Sequence, residues 1–345
     1  MDGSRVEYHS EEEYQNVDHE EIYYDDEPST ELPSDTVDAD LDIPVQEDTP
    51  VETSNKFRLN HCMFLGKGCI EDFAMLGAMI LLSEQGSLDG IDGYIASGGS
   101  SLLALLLSIG YTHQQVIEIA TTTKLFNTYV ASELGPNIIA SLSTKCGWFN
   151  HERRRSIINR AISNKIACIP TFYGHYMATG KFLCFPAICV ETGERKFFSH
   201  LTTPDVNIVD AVLAATNLPV LMEMFSIGEY NYIDASLSTV SFSELDNILE
   251  IENLTRLTLM PDPKSPKPFE MQHNIKTTFD YLVNVINSLV GARSSTAPSS
   301  AHCKELCIPV PYVDGFGRPL LRGQDEEAQL LILGYTAAKQ YLSDL

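Results

Sequence analysis

The sequence has 345 residues, of which 44% are hydrophobic, and a formal net charge of −24. This length is sufficient to bury one large core or two ordinary ones. The acidic balance argues against a nucleic acid partner, because phosphate binding needs clustered Lys and Arg. Eight cysteines without a disulfide framework are typical of a reducing compartment. No signal-peptide pattern and no apolar run long enough to span a bilayer are visible, so the sequence predicts a cytoplasmic protein.

Most of the negative charge lies in the first 55 residues. They contain 19 of the 47 Asp and Glu residues and one of the 23 Lys and Arg residues, Arg5, so they account for −18 of the total charge. Such a segment cannot bury enough apolar surface to offset the entropy that ordering costs. We therefore predict an acidic, disordered tail over residues 1–55 and a folded domain over residues 56–345.

The rest of the chain is organised around residues 91–112. They have the pattern of a short buried strand, a turn of small residues and an apolar helix. A strand, a sharp glycine-rich corner and a helix together form a nucleophile elbow, the turn that lifts a serine to the top of an α/β sheet. Here the corner contains Gly98 and Gly99, with Ser97 and Ser100 on either side.

Strand and helix patterns alternate along the remaining chain, which predicts an α/β fold with a mixed, mostly parallel sheet. A Thr-Gly pair at positions 192 and 193, between two β-rich runs, predicts a hairpin. The other predicted elements are a strand over 61–65, helices over 73–82, 206–216, 279–289 and 325–345, a strand over 230–234, and a helix leading into a strand over 245–260.

These patterns resemble the patatin-like phospholipases. In that family the elbow runs G-x-S-x-G-[AS] into an apolar helix that closes on Gly-Tyr, and the serine lies twelve residues before that glycine. Counting back from Gly110 leads to Gly98, so the family's serine position is a glycine in this chain. The family motif y-x-D-G-[GA] corresponds to Tyr-Ile-Asp234-Ala-Ser, which places Asp234 as the general base of a Ser-Asp dyad. The resemblance implies a three-layer αβα fold.

The resemblance also assigns an oxyanion loop, which in the family runs G-G-G-x-[RK]-G. The corresponding residues begin at Lys67, Gly68 and Cys69, and only Gly68 fits the pattern. Glu71 and Asp72 stand where the family has a cation and a glycine. Negative charge there would oppose the stabilisation of a developing oxyanion. Lys67, Gly68 and Cys69, together with Gly99 of the corner, are therefore predicted to contact ligand.

Two functions follow from the resemblance. The favoured one is a catalytically inactive relative, a pseudoenzyme that binds a lipid, an acyl ligand or a partner, with a membrane surface as a further contact. The alternative is an active acyl hydrolase of the phospholipase A type, with Ser97 or Ser100 as nucleophile and Asp234 as base. Removing the serine from a serine protease costs about a million-fold in turnover, which favours the inactive relative. No cofactor is implied, and the sequence leaves the oligomeric state open.

Two further clusters contain side chains of the kind that bind metals or lipid headgroups. His302, Cys303 and Cys307 lack a second ligand pair at the spacing of a zinc site, so no metal is predicted. The three arginines at positions 153–155 are predicted to form a solvated helix face. The alternative is that they form, with Trp148 and Phe149, a lid rim that contacts lipid headgroups.

Overall fold

The computed structural model describes residues 56–126, 138–167, 170–237, 245–262, 302–311 and 325–344. The predicted tail over 1–55 and the predicted helix over 279–289 lie outside these residues. Within them, eight strands form one sheet in the order β10-β9-β1-β2-β4-β8-β7, with β5 paired to β4. The strands of this sheet are β1 Phe57–Gly68, β2 Gly93–Gly98, β4 Phe182–Cys189, β5 Arg195–Phe198, β7 Phe225–Ile227, β8 Tyr230–Asp234, β9 Leu249–Pro261 and β10 His302–Val310.

The sheet is largely parallel. The pairs β1/β2, β1/β9, β9/β10 and β2/β4 run parallel, whereas β5, β8 and β7 add an antiparallel edge. Two short strands, β3 Gly147–Phe149 and β6 Val220–Met222, pair separately. A mixed sheet with helices between its strands confirms the predicted α/β fold class.

Eight helices are described with this sheet. They are α1 Asp72–Glu84, α2 Ser100–Ser108, α3 His113–Thr123, α4 Ile138–Lys145, α5 Glu152–Lys165, α6 Phe172–Thr179, α7 Ile208–Ala215 and α8 Glu326–Asp344. All six residues of β2 and all nine of α2 are buried, which explains why this stretch is rich in apolar and small residues and lacks an amphipathic pattern. None of the described helices combines the length and the hydropathy needed to cross a bilayer.

Helix α8 packs directly on α1 through two glycines. A Cβ added to Gly334 would overlap the carbonyl oxygen of Ala74, and a Cβ added to Gly77 would overlap the carbonyl oxygen of Leu331. The backbones of the two helices therefore touch, and only glycine fits at the contact.

The sequence prediction failed at β9, the strand between β1 and β10. The residues predicted as a helix leading into a strand form a short 3₁₀ turn, Leu245–Asn247, followed by the 13-residue strand β9. Apolar residues at 248, 251, 254 and 257 repeat every three positions and imitate a helix. Pairing with β1 on one side and β10 on the other determines the strand instead. The predicted hairpin is present between β4 and β5, with Gly193 at φ +71°.

Candidate functional site

The corner between β2 and α2 has the backbone that the sequence predicts. Gly98 ends β2 with φ +61°, in the left-handed region that favours glycine. Gly99 is the N-cap of α2, and a Cβ there would overlap the carbonyl oxygen of Gly68. Gly68 pairs with Gly98 across β1 and β2. Three glycines thus bring two strand ends and a helix start into contact.

Asp234 lies directly at this corner. It ends β8, is 4% exposed, and its Oδ2 would lie 3.2 Å from a Cβ at position 98. Its other oxygen, Oδ1, accepts the backbone N–H of Ser236 at 2.7 Å. The Ser236 Oγ also lies 3.2 Å from the same Cβ position. Two oxygen-bearing side chains therefore converge on Gly98, and the sequence reasoning anticipated only the first of them.

The end of β8 is held in place by Asn217, which follows α7. The backbone carbonyl of Asn217 accepts the N–H of Asp234 at 2.9 Å, and its side-chain Nδ2 donates to the carbonyl of Tyr232 at 2.8 Å. Asn217 is 2% exposed. Two hydrogen bonds from one buried residue fix the strand end, and thereby the direction of the Asp234 carboxylate.

A second polar pair lies on the Gly68 side of the corner. Ser100, the first residue of α2, donates a hydrogen bond to Asp72 Oδ1 at 2.6 Å, and both residues are 0% exposed. A Cβ on Gly68 would overlap Asp72 Oδ1 and would lie 2.5 Å from Ser100 Oγ. The carboxyl group of Asp72 therefore fills the space in front of Gly68, where the resemblance predicts an open oxyanion loop.

Burial raises the pKa of Asp72 well above its ordinary range. The hydrogen bond from Ser100 lowers the pKa and the neighbouring Glu71 raises it further, and burial has the largest effect. Among the described residues, Asp72 Oδ2 has no hydrogen-bond partner. Burial thus opposes the negative charge that the resemblance predicts for Asp72 beside Gly68.

Replacing Asp72 by asparagine is expected to stabilise the protein increasingly as the pH rises. A raised pKa means that above about pH 4 the unfolded chain releases a proton that the folded chain retains, so wild-type stability falls with pH. The amide oxygen of asparagine can still accept the hydrogen bond from Ser100, but asparagine has no carboxyl proton to release. Urea unfolding at pH 4.5 and pH 8 measures the effect, and Glu84→Gln, an exposed carboxylate at the other end of α1, is the matched control. An equal difference at both pH values would contradict the prediction.

The other predicted site residues are distributed as follows. Ser97 is 1% exposed at the end of β2. Cys69 is half-buried, with its Cα 2.9 Å from the place of a Cβ at Gly99, and its thiol donates to the carbonyl of Phe126 at 3.0 Å. Lys67 belongs to β1, and its side chain lies outside the described atoms. The structure thus brings Gly68, Gly98, Gly99 and Asp234 together, with Ser97 and Ser100 buried beside them.

The structure contradicts the solvated face at Arg154 and the lid rim at Trp148. Arg153 donates to the carbonyl of Thr123 at 2.9 Å, and Arg155 pairs with Asp210 at 2.6 Å. Arg154 is 4% exposed and donates to the hydroxyl of Thr216. Trp148, at 9% exposure, belongs to the buried strand β3. The three arginines connect α5 to neighbouring elements, and Arg155 keeps a side chain that is 39% exposed.

Comparison with known proteins gives one curated relative. The sequence matches no protein-family model. It is 24% identical over 201 residues to "Probable lipid hydrolase 463L" of Invertebrate iridescent virus 6, over 54% of this chain and 63% of the relative. The chain thus spans less than two thirds of the length of that relative.

Three solved structures are similar to this chain at low identity, each with a TM-score below 0.5. VipD from Legionella pneumophila has a TM-score of 0.45 at 13% identity, over 83% of this chain and 67% of its own. ExoU in complex with SpcU, from Pseudomonas aeruginosa, has a TM-score of 0.40 at 13% identity, over 83% and 52%. Human GIVD cytosolic phospholipase A2, bound to a fluorophosphonate inhibitor, has a TM-score of 0.39 at 11% identity, over 83% and 60%. The motifs of this chain resemble those of the patatin-like phospholipases.

Proposed function

We propose that this protein binds an acyl lipid at the Gly98 corner and has lost the hydrolysis that patatin-like enzymes carry out with an elbow serine. One observation carries the proposal. Position 98 has the positive φ of the strand-to-helix corner, and an Asp234 oxygen lies 3.2 Å from where a Cβ would stand, but glycine supplies no hydroxyl. The name of the iridescent virus relative, a lipid hydrolase, supports a lipid as the ligand.

The burial of the neighbouring serines disfavours the active alternative. Ser97 and Ser100 are 1% and 0% exposed, and the Ser100 hydroxyl is directed at Asp72 rather than at Asp234. A nucleophile must reach the substrate carbonyl and lie within hydrogen-bond reach of its base. Neither serine meets both requirements in this arrangement.

Incubation of the full chain with a phospholipid, a diacylglycerol and a fatty acid tests the proposal. We expect at least one lipid to remain with the protein through size-exclusion chromatography, as identified by mass spectrometry, and no fatty acid to be released. Release of fatty acid that Ser97→Ala or Ser100→Ala abolishes would establish the active alternative. Retention of no lipid at all would refute the binding function.

A further inference from the structure

A cavity of about 170 Å³ lies near the start of β2, whereas the Gly98 corner lies at the end of that strand. Tyr94 of β2 lines the cavity, and the four residues of extended strand from Tyr94 to Gly98 span about 13 Å. Helix α1, the end of α2 and the start of α3 supply other parts of the lining. The cavity is therefore separate from the corner.

This cavity has an apolar wall and a polar rim. Four apolar side chains of the wall are at most 9% exposed, namely Met63, Met79, Ile91 and Leu107. The rim includes Ser83, near the end of α1, and Thr112, the N-cap of α3, and both are exposed. An apolar wall with a few polar groups at its mouth is typical of sites for small molecules.

The size and the wall of the cavity favour an aromatic ring. An engineered cavity of about 150 Å³ admits benzene, so the volume of about 170 Å³ found here admits a ring with a small substituent. Thioether sulfur makes favourable contacts with aromatic rings, and two methionines, Met63 and Met79, belong to the wall. The volume is too small for a whole lipid.

Tyr94 supplies a polar group that a ligand can satisfy. Its side chain is 7% exposed, and its hydroxyl makes no hydrogen bond with the described part of the chain. Tyr111 lines the same cavity, but its hydroxyl already donates to the carbonyl of Ala161 at 3.0 Å. Because a buried polar group without a partner costs free energy, an oxygen atom that accepts from Tyr94 would remove that cost.

The lining disfavours a charge of either sign. None of the described residues that line the cavity is an Asp, Glu, Lys or Arg. Burial raises the pKa of Tyr94 to about 12 and lowers the pKa of His113, so burial opposes an anion and a cation alike at this wall. Lys165 and Lys181 lie over the two tyrosine rings, but neither lines the cavity and both donate hydrogen bonds elsewhere.

We propose that this cavity is a second binding site, which takes a small uncharged aromatic molecule whose hydroxyl or carbonyl oxygen accepts a hydrogen bond from Tyr94. The ring packs against the apolar wall, and its polar substituent reaches the one tyrosine hydroxyl of the lining that is not already engaged by a described residue. This site does not depend on lipid binding at the Gly98 corner.

Three probes of similar shape test the proposal. p-Cresol, toluene and benzoate are titrated into the full chain at pH 7 by calorimetry, where p-cresol is uncharged because a phenol has a pKa of about 10. We expect saturable binding of p-cresol. Toluene should bind about five-fold more weakly, because it lacks the hydrogen bond, and benzoate at least about ten-fold more weakly, because its charge must leave water.

Two substitutions with matched controls locate the site. Tyr94→Phe should abolish the five-fold preference for p-cresol over toluene, whereas Tyr111→Phe should keep it, because the Tyr111 hydroxyl is engaged outside the cavity. Ser83→Phe places a ring at the mouth and should weaken binding of both probes at least about ten-fold. Ser156→Phe, on the exposed face of α5, should change neither Kd. Circular dichroism verifies that each variant is folded.

Several results would overturn the proposal. They are the absence of p-cresol binding up to its solubility limit, unchanged binding in folded Ser83→Phe, an unchanged preference in Tyr94→Phe, and benzoate binding as tight as that of p-cresol. Loss of lipid retention in Ser83→Phe would also overturn it, because the cavity would then hold the end of that lipid. Failure of the wild-type chain to retain any lipid refutes only the binding function of the corner.

Discussion

The Gly98→Ser variant is expected to hydrolyse esters no faster than buffer alone does, although the substitution returns a hydroxyl to the corner beside Asp234. The new Cβ would lie 3.2 Å from both Asp234 Oδ2 and Ser236 Oγ, closer than side chains ordinarily approach. Serine at φ +61° also costs about 1–2 kcal/mol. The carboxyl group of Asp72 still fills the space in front of Gly68, so a developing oxyanion finds no open donor there.

Adding Glu71→Lys and Asp72→Gly to Gly98→Ser should reveal activity. These changes open the space in front of Gly68 and supply the cation, and one oxyanion-hole donor is worth roughly 10²–10³ in turnover. We therefore expect kcat/KM for p-nitrophenyl butyrate to rise at least about 100-fold over the single variant. A fluorophosphonate should then label position 98, and circular dichroism should show that the variant is folded.

The control for this experiment adds Asp234→Asn to the triple variant. It should abolish both hydrolysis and labelling, because the hydroxyl at position 98 then has no base. Robust turnover from Gly98→Ser alone would mean that the oxyanion loop lies elsewhere. Turnover that survives Asp234→Asn would mean that Asp234 is not the base.

The largest loss of stability is expected from Gly334→Ala. The added methyl group overlaps the carbonyl oxygen of Ala74, and a helix backbone cannot move aside as a flexible side chain can. Alanine gains about 1 kcal/mol over glycine in helix propensity, which offsets part of the clash. We expect a net loss of about 2 kcal/mol or more in the free energy of unfolding, measured with urea.

Thr336→Ala on the same helix is the matched control. Thr336 is exposed, and its hydroxyl donates only to the carbonyl of Ile332 one turn earlier. Its loss should change the free energy of unfolding by no more than about 0.5 kcal/mol. If the two variants lose equal stability, Gly334 is not required for the close packing of α8 on α1, and the prediction is wrong.

The sequence was informative where local chemistry determines the structure. Position 98 could be located by counting because the length of α2 fixes the distance from the corner to Gly110, and Asp234 could be placed because it ends a strand. The contact of Ser236 with the corner could not be predicted from the motif. The motif assigns glycine or alanine there, so nothing in the pattern indicated that the side chain would turn back toward Gly98.

The errors arose where long-range contacts decide the outcome. Apolar spacing in β9 favours a helix, and only its pairing with two other strands makes it extended. The charge pattern of Arg153–Arg155 suggests solvent or headgroups, but partners 30 to 62 residues away in the sequence engage all three side chains. The raised pKa of Asp72 likewise depends on burial, which no local pattern predicts.

The position of β1 in the sheet has a consequence for how the chain is made. This strand comes first among the described elements, yet it lies between β2 and β9, and its contact with β9 joins Arg58 to Glu250 across 192 residues. At ribosomal speeds of about 5–20 residues per second, one edge of β1 stays unpaired for roughly 10–40 seconds before β9 has been synthesised. An unpaired strand edge is a template for aggregation, so this edge of β1 is open to wrong pairing until β9 has been synthesised.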